Sequence, residues 1–459
     1  MKDFEDLVMR QREWFEEGHT RELKFRLSQL DLLEKLVRAH DEEILEALRL
    51  DLGKPAIDAY TAEVAMVLAE IRHARRNLPG WMKSQRRTCP LPAKPGRASV
   101  HFEPKGLVLI IGPWNYPFQL LIVPLVGAIA AGNCAVLKPS ELAPHTSSLV
   151  FRIFENHFDR RFIAVSEGGR DAAEELLNIR FDHIFFTGSS HTGRKVMTAA
   201  ARHLTPVTLE LGGKCPAIVC GDIPESRLRT VARRIVWGKF MNSGQTCVAP
   251  DYVLVSRNLR EPLISAMRTA IDAFYQQAGS ARIVNLEQFE RLLALLEDGE
   301  IVCGGITNAD RLTISPTLLT NVALESSAMQ GEIFGPILPI LTFDAPDDAL
   351  EIVRRFPAPL AVYPFTLNLS LAQRIVAETR SGGVCINDTI LHMTHPDLPF
   401  GGVAESGIGR YHGRASFDCF SHQRVVLHRG LRFDPGIRYQ TTKMPLSKLK
   451  KLLRRFAGA

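Results

Sequence analysis

The chain has 459 residues, 46% hydrophobic and 23% charged, a mix that excludes a disordered, collagen-like or disulfide-stapled protein. Its net charge of +6 lies in the tail: no acid follows Asp434, whereas Arg438, Lys443, Lys448, Lys450, Lys451, Arg454 and Arg455 do, so residues 1–434 carry 49 basic and 50 acidic side chains. A near-neutral body gives no support for nucleic-acid binding. The eight cysteines contain no C-x-x-C and read as reduced thiols of a cytoplasmic protein. The opening Met-Lys-Asp-Phe-Glu-Asp places acids where a secretory leader needs basic and then apolar residues.

In chain order, residues 1–80 read as helical. Leu27, Leu30, Leu33 and Leu36 recur at helical spacing, and a second amphipathic segment runs from Asp58 to Arg76. Residues 81–105, with Pro90, Pro92, Pro95 and Gly96, read as an extended arm. The 32 residues between Lys105 and Lys138 carry no charge. Pro113, Pro117 and Pro124 argue against one spanning helix, and strand, turn, buried helix, strand is the better reading. Strands are expected at Leu107–Ile111, 135–137, His183–Thr187, 207–211, 217–219 and 251–256. Helices are expected at 118–131, 142–158, 193–203 and 227–240. The alternation predicts a parallel sheet covered on both faces, followed by a second α/β unit over about 210–385.

Three segments carry chemistry. No G-x-G-x-x-G occurs, and Gly407–Gly413 is one residue too long for one. Phe185–Gly193 follows a strand and opens a helix. That geometry suits a diphosphate or an ordinary strand–turn–helix junction. Cys247 ends the small polar loop Asn242-Ser-Gly-Gln-Thr, whereas Cys134 sits among alanines as a core residue and Cys215 and Cys220 flank a strand. Glu210 ends an apolar strand directly before two glycines. An acid in such a place has a raised pKa and can serve as a general base; a cap or salt bridge is the plainer alternative.

Seven motifs run in order over about 300 residues: Ile111-Gly-Pro-Trp-Asn-Tyr-Pro117, Leu137-Lys-Pro-Ser-Glu141, Phe186-Thr-Gly-Ser189, Leu209-Glu-Leu-Gly-Gly213, Gly244-Gln-Thr-Cys247, Glu332-Ile-Phe-Gly-Pro336, and Pro399-Phe-Gly-Gly402 with Ser406-Gly-Ile-Gly-Arg410. Together they resemble the aldehyde dehydrogenase superfamily. Trp237–Cys247 is similar to its class 3 branch of fatty and aromatic aldehyde dehydrogenases. The resemblance covers nearly all of the chain except the basic tail.

The resemblance implies NAD(P)-dependent oxidation of an aldehyde to a carboxylic acid. Cys247 would be the nucleophile that forms a thiohemiacetal and then a thioester. Asn115, with the Cys247 N–H, would hold the oxyanion. Glu210 would activate the hydrolytic water. Lys138 and Glu141 would hold the adenosine ribose, with Trp114 beside the cofactor. Gly188, Ser189 and Gly193 would form the diphosphate turn, and Glu332 and Phe334 would place the nicotinamide ribose and ring. The acid at Glu141 favours NAD, with NADP as an alternative. Tyr116, Leu120, Val123 and Phe400 would line an apolar substrate tunnel, which points to a hydrophobic aldehyde, medium- or long-chain or aromatic.

There are departures from the family pattern. Gly331 replaces a second acid before Ile-Phe-Gly-Pro, the 151–169 segment looks shortened, and Gly221–Pro224 reads as an added surface turn. A coenzyme A-acylating relative, a silent structural relative and a cysteine hydrolase are the competing readings. Retention of Glu210, Cys247 and the cofactor motifs argues against each. No metal site is expected; His392 and His395 read as pocket residues.

The implied architecture is a Rossmann-like NAD(P)-binding domain (1–80 and 106–209) and an α/β catalytic domain (210–387). A bridging, oligomerising element (81–105 and 388–430) would make a homodimer. In the tail, 431–459, Leu446, Leu449, Leu452, Leu453 and Phe456 share one helical face opposite lysines and arginines. That pattern allows weak peripheral contact with an anionic membrane.

Overall fold

The computed structural model describes residues 2–90, 93–275, 281–434, 439 and 444–456. Five helices and one π-helical turn occupy Lys2–Trp81. The charge-free run then folds as strand Leu107–Ile111, a turn, helix Gln119–Ala131 and strand Cys134–Lys138. All 13 residues of that helix are buried. It is a core helix, and among the described residues no helix is long and apolar enough to cross a membrane.

The first sheet has six strands in the order Gly407–Ile408, Val207–Glu210, His183–Thr187, Leu107–Ile111, Cys134–Lys138, Ile163–Val165. All pairs are parallel except that of Gly407–Ile408 with Glu210 and Leu209. Each residue of Leu107–Ile111 is buried, as expected for a strand covered on both faces. The chain enters this sheet at Leu107–Ile111, builds outward to one side, then returns to build the other. The reversal lies between Ile111 and its neighbour Phe186. A crevice outside the strand ends at such a reversal is where doubly wound sheets bind ligands.

The second sheet has seven strands in the order Glu300–Cys303, Thr317–Thr320, Ile337–Phe343, Tyr252–Ser256, Pro216–Val219, Ala361–Phe365, Gly383–Val384. Only Glu300–Cys303 is antiparallel. Side chains alternate between two cores. Ala217, Val219, Val253 and Val255 join the large core shared with the first sheet. Ile218, Tyr252 and Leu254 join a smaller core behind it. This is the period-two alternation of a strand.

A third sheet joins Gln85–Arg87, Gly96–Pro104 and Ser421–Arg429, all antiparallel. The 81–105 arm therefore supplies two of the three strands. Residues 388–430 divide: Gly407–Ile408 extends the first sheet, helix Gly413–Cys419 packs on Gln119–Ala131, and only Ser421–Arg429 joins the arm.

Candidate active site

A cavity of about 510 Å³ opens at the reversal point. Pro113, Trp114 and Asn115 reach it from the end of Leu107–Ile111, and Thr187, Gly188 and Ser189 from the end of His183–Thr187. Glu210, Leu211 and Gly212 come from the adjacent strand and the turn after it, while Cys247, Glu332 and Phe334 belong to the part of the chain that builds the second sheet.

Cys247 is delivered by a tight turn. Asn242, Ser243 and Gly244 all have left-handed backbone, with φ of 52°, 53° and 73°. A Cβ on Gly244 would lie 2.2 Å from the Gly335 carbonyl oxygen, so glycine is required there. Gln245 wires the turn in place. Its Nε2 donates to the Asn242 and Arg282 carbonyls at 3.1 and 3.0 Å, and its Oε1 accepts from the Val284 N–H at 3.1 Å. Asn115 Nδ2 donates to the Gln245 carbonyl at 3.0 Å. An amide carries two N–H donors, so the second can serve a ligand. Asn242 Nδ2 closes the loop by donating to the Asn115 carbonyl at 3.0 Å.

Burial dominates the electrostatics of the cavity. Burial pushes the Cys247 thiol up to about 12, and Glu332 and Glu210 add to the shift. The N–H groups of Cys247 and Val248 act in the opposite direction. Glu210 is fully buried, and neither carboxyl oxygen has a hydrogen-bond partner among the described residues. Burial therefore raises its pKa well above the usual carboxylate range. Burial and the Asp251 charge raise Glu332 to about 8. Asp251 is held by Lys214 at 2.5 Å and accepts from the Ile333 N–H at 3.0 Å, and Lys214 also donates to the Ala328 and Gly331 carbonyls. This buried clamp fixes the segment that carries Glu332.

The residues present fit a dinucleotide. The cavity holds the start of the 12-residue helix Ser190–Ala201, whose free N–H groups favour an anion. Ser189 caps that helix by accepting from Thr192 N at 3.2 Å. A Cβ on Gly212 would lie 2.1 Å from Glu332 Oε2, so the bare backbone admits the carboxylate. Trp114 and Phe334 meet edge to face at 5.5 Å. Lys138 is buried at the end of its strand, with Nζ 3.6 Å from the half-exposed Glu141. Gly193 does not line the cavity. Its Cβ would come within 2.9 Å of Leu211, so it permits close helix–strand packing.

The four apolar tunnel residues are not brought into one cavity. Leu120 lines the site with Cys247. Tyr116 is buried, with its hydroxyl 2.7 Å from Thr246 Oγ1. Val123 lines a separate small pocket with Met66, Met393 and His412. Phe400 stacks on His412 at 5.3 Å. His392 is half-buried, with neither of its buried ring nitrogens partnered among the described residues, and no cluster of three or more metal-ligating side chains occurs among them.

Sequence reading missed Gln245, Asn242, the Lys214–Asp251 clamp and the 284–291 wall. One signal for that wall was present. Asn285 followed by Gln288 is a helix-start pattern, and Asn285 Oδ1 accepts from Gln288 N at 2.9 Å.

A sequence model of the aldehyde dehydrogenase family matches residues 1–426. The chain belongs to the aldehyde dehydrogenase family. It is 43% identical over 431 residues to a 4,4'-diaponeurosporen-aldehyde dehydrogenase of Staphylococcus aureus, covering 92% of this chain and 93% of that protein. It is 42% identical to a dimeric, NADP-preferring aldehyde dehydrogenase of Canis lupus familiaris, over 98% of this chain and 99% of that one. The substrate-bound structure of Staphylococcus aureus AldH superposes with a TM-score of 0.94 at 42% identity, covering 98% and 99% of the two chains. This aldehyde dehydrogenase is an oxidoreductase that uses NAD(P). The coenzyme A-acylating and silent alternatives find no support.

Proposed function

We propose that Cys247, Asn115 and Glu210 carry the oxidation of a hydrophobic aldehyde to its carboxylic acid. The observation that carries this reading is Glu210: a buried carboxyl with both oxygens unpartnered, in the same cavity as a thiol and an amide donor. The Cys247 thiolate adds to the carbonyl carbon, and the C=O electron pair moves to oxygen. Asn115 Nδ2 and the Cys247 N–H stabilise that charge, each donor contributing about 3–4 kcal/mol. Bound NAD(P) supplies the hydride acceptor needed to reach the thioester. Glu210 takes a proton from water as that water adds to the thioester, the thiolate leaves, and the acid departs.

Trp114, Gly188, Ser189, Glu332 and Phe334 would hold the cofactor, with Lys138 and Glu141 at the ribose end and NAD preferred. The apolar character of Leu120 in the cavity, and the 4,4'-diaponeurosporen-aldehyde named for the Staphylococcus aureus relative, support a hydrophobic substrate. The test is reduced-nicotinamide formation with aldehydes from acetaldehyde to long-chain and aromatic, with and without coenzyme A. Turnover without coenzyme A that Cys247→Ala abolishes is expected. Dependence on coenzyme A would overturn the role of Glu210.

A homodimer and a cytoplasmic, membrane-peripheral setting complete the proposal. Val425 and Leu427 are exposed on the edge strand Ser421–Arg429, and the Canis relative is named as dimeric. Helix Leu446–Phe456 forms; the side chains of Leu452, Leu453 and Phe456, together with Arg438 and Lys443, lie outside the described residues. Its basic, leucine-rich sequence supports contact with anionic lipid. Liposome binding that survives deletion of 443–459 would end that reading.

A further inference from the structure

Lys54 and Glu63 form an ion pair that is almost wholly buried, with side-chain exposures of 2% and 0%. Removing two charges from water is unfavourable, and well-packed apolar side chains often serve stability as well. The location of the pair suggests another use. Glu63 sits in the π-helical turn Tyr60–Val64, a local irregularity that is frequent at functional sites. Its second oxygen accepts from the Phe118 and Gln119 N–H groups at 2.9 and 3.1 Å. It thus caps the buried helix Gln119–Ala131 from 55 residues away. Lys54 Nζ lies 4.0 Å over the Tyr116 ring, within cation–π range. The Tyr116 hydroxyl bonds Thr246, the neighbour of Cys247.

Asn115 is enclosed by these contacts. On one side the turn that carries it is tied to Gln245 and Asn242. On the other side it is tied to Lys54 and Glu63. The segment just before Lys54 reaches the catalytic loop as well. Arg282 donates to the Leu50 and Asp51 carbonyls, and its own carbonyl accepts from Gln245.

We infer that Lys54 and Glu63 are positioning residues for the oxyanion site, setting Asn115 against the Cys247 backbone through Tyr116 and the start of Gln119–Ala131. Neither touches the cavity that holds the thiol. The inference rests on the proposed oxyanion role of Asn115.

The test is a cycle of Lys54→Met/Glu63→Gln against Asn115→Ala. The double substitution removes both charges, keeps similar volumes and leaves an acceptor over the helix start. It avoids the lone buried charge that either single change creates. Expected is a folded protein with thermal stability near that of the parent and cofactor affinity within about twofold. Its kcat for the aldehyde falls about 100-fold, the scale of one lost oxyanion donor. In the Asn115→Ala background the same double change costs less than about threefold, because no side-chain donor remains to be positioned. Full kcat in a stable double variant overturns the inference, as does an equal loss in both backgrounds. If Asn115→Ala alone is silent, the oxyanion assignment fails first, and the two failures are told apart.

Discussion

Burial raises both the Cys247 thiol, to about 12, and the Glu210 carboxyl. The thiol is therefore mostly protonated near neutral pH, the carboxyl holds its proton to higher pH than an exposed acid does, and the reactive forms, thiolate and carboxylate, accumulate as pH rises. Turnover should climb with pH above neutrality, and a kcat–pH profile checks this. Glu210→Gln should lower steady-state turnover by about 100-fold while sparing the first reduced nicotinamide formed per site. Rapid-mixing kinetics would show the retained burst. Glu141 is half-exposed and only loosely paired with Lys138. Removing its charge with Glu141→Gln should move the NADP/NAD ratio of kcat/KM about tenfold toward NADP, roughly 1.4 kcal/mol. Cys247, Glu210 and Asn115 were legible because their chemistry is local to a motif. Lys54, Glu63, Gln245 and Asp251 were not. Their partners lie far away in sequence, and a lone lysine or glutamate in a helical stretch reads as a solvated face.

At the scale of elements, apolar runs were read well and edges less so. Leu107–Ile111 and His183–Thr187 match their expected bounds. The helix expected at 193–203 instead begins at Ser190, because Ser189 caps it and terminates the preceding turn. Ser189→Ala should cost about 1 kcal/mol in a denaturant melt. The π-helical turn at Tyr60–Val64 has no signature in hydrophobic spacing. The turn before Cys247 was visible as small polar residues, but its three left-handed positions were not. Gly244→Ala should destabilise the protein by more than about 1 kcal/mol, since the backbone is left-handed and the new methyl meets Gly335. A chemical unfolding curve measures the loss, and activity should fall with it.

For the whole molecule, alternation of strands and helices made two α/β units legible, because the central buried strands, such as Leu107–Ile111 and Tyr252–Ser256, are mostly apolar runs. How the final 70 residues are shared between two sheets was not legible. Gly407–Ile408 is a two-residue strand, too short for any pattern, and its place is set by pairing with Glu210 and Leu209. That pairing makes the neighbour of the proposed base a segment almost 200 residues further along the chain. The described tail helix Leu446–Phe456 contributes no strand to these sheets. Deleting 443–459 should leave kcat and KM for a short aldehyde unchanged, as a steady-state assay would show.

Among the described residues Ser421–Arg429 pairs with Gly96–Pro104 on one side only, and its Val425 and Leu427 face solvent. An unpaired ladder bearing apolar side chains is adhesive. If a second copy of the chain covers it, association and folding are linked by mass action. The melting temperature should then rise with protein concentration, and dilute enzyme should lose activity on standing and regain it when concentrated. Val425→Lys would remove both dependences, leaving a protein whose heat resistance no longer depends on its concentration.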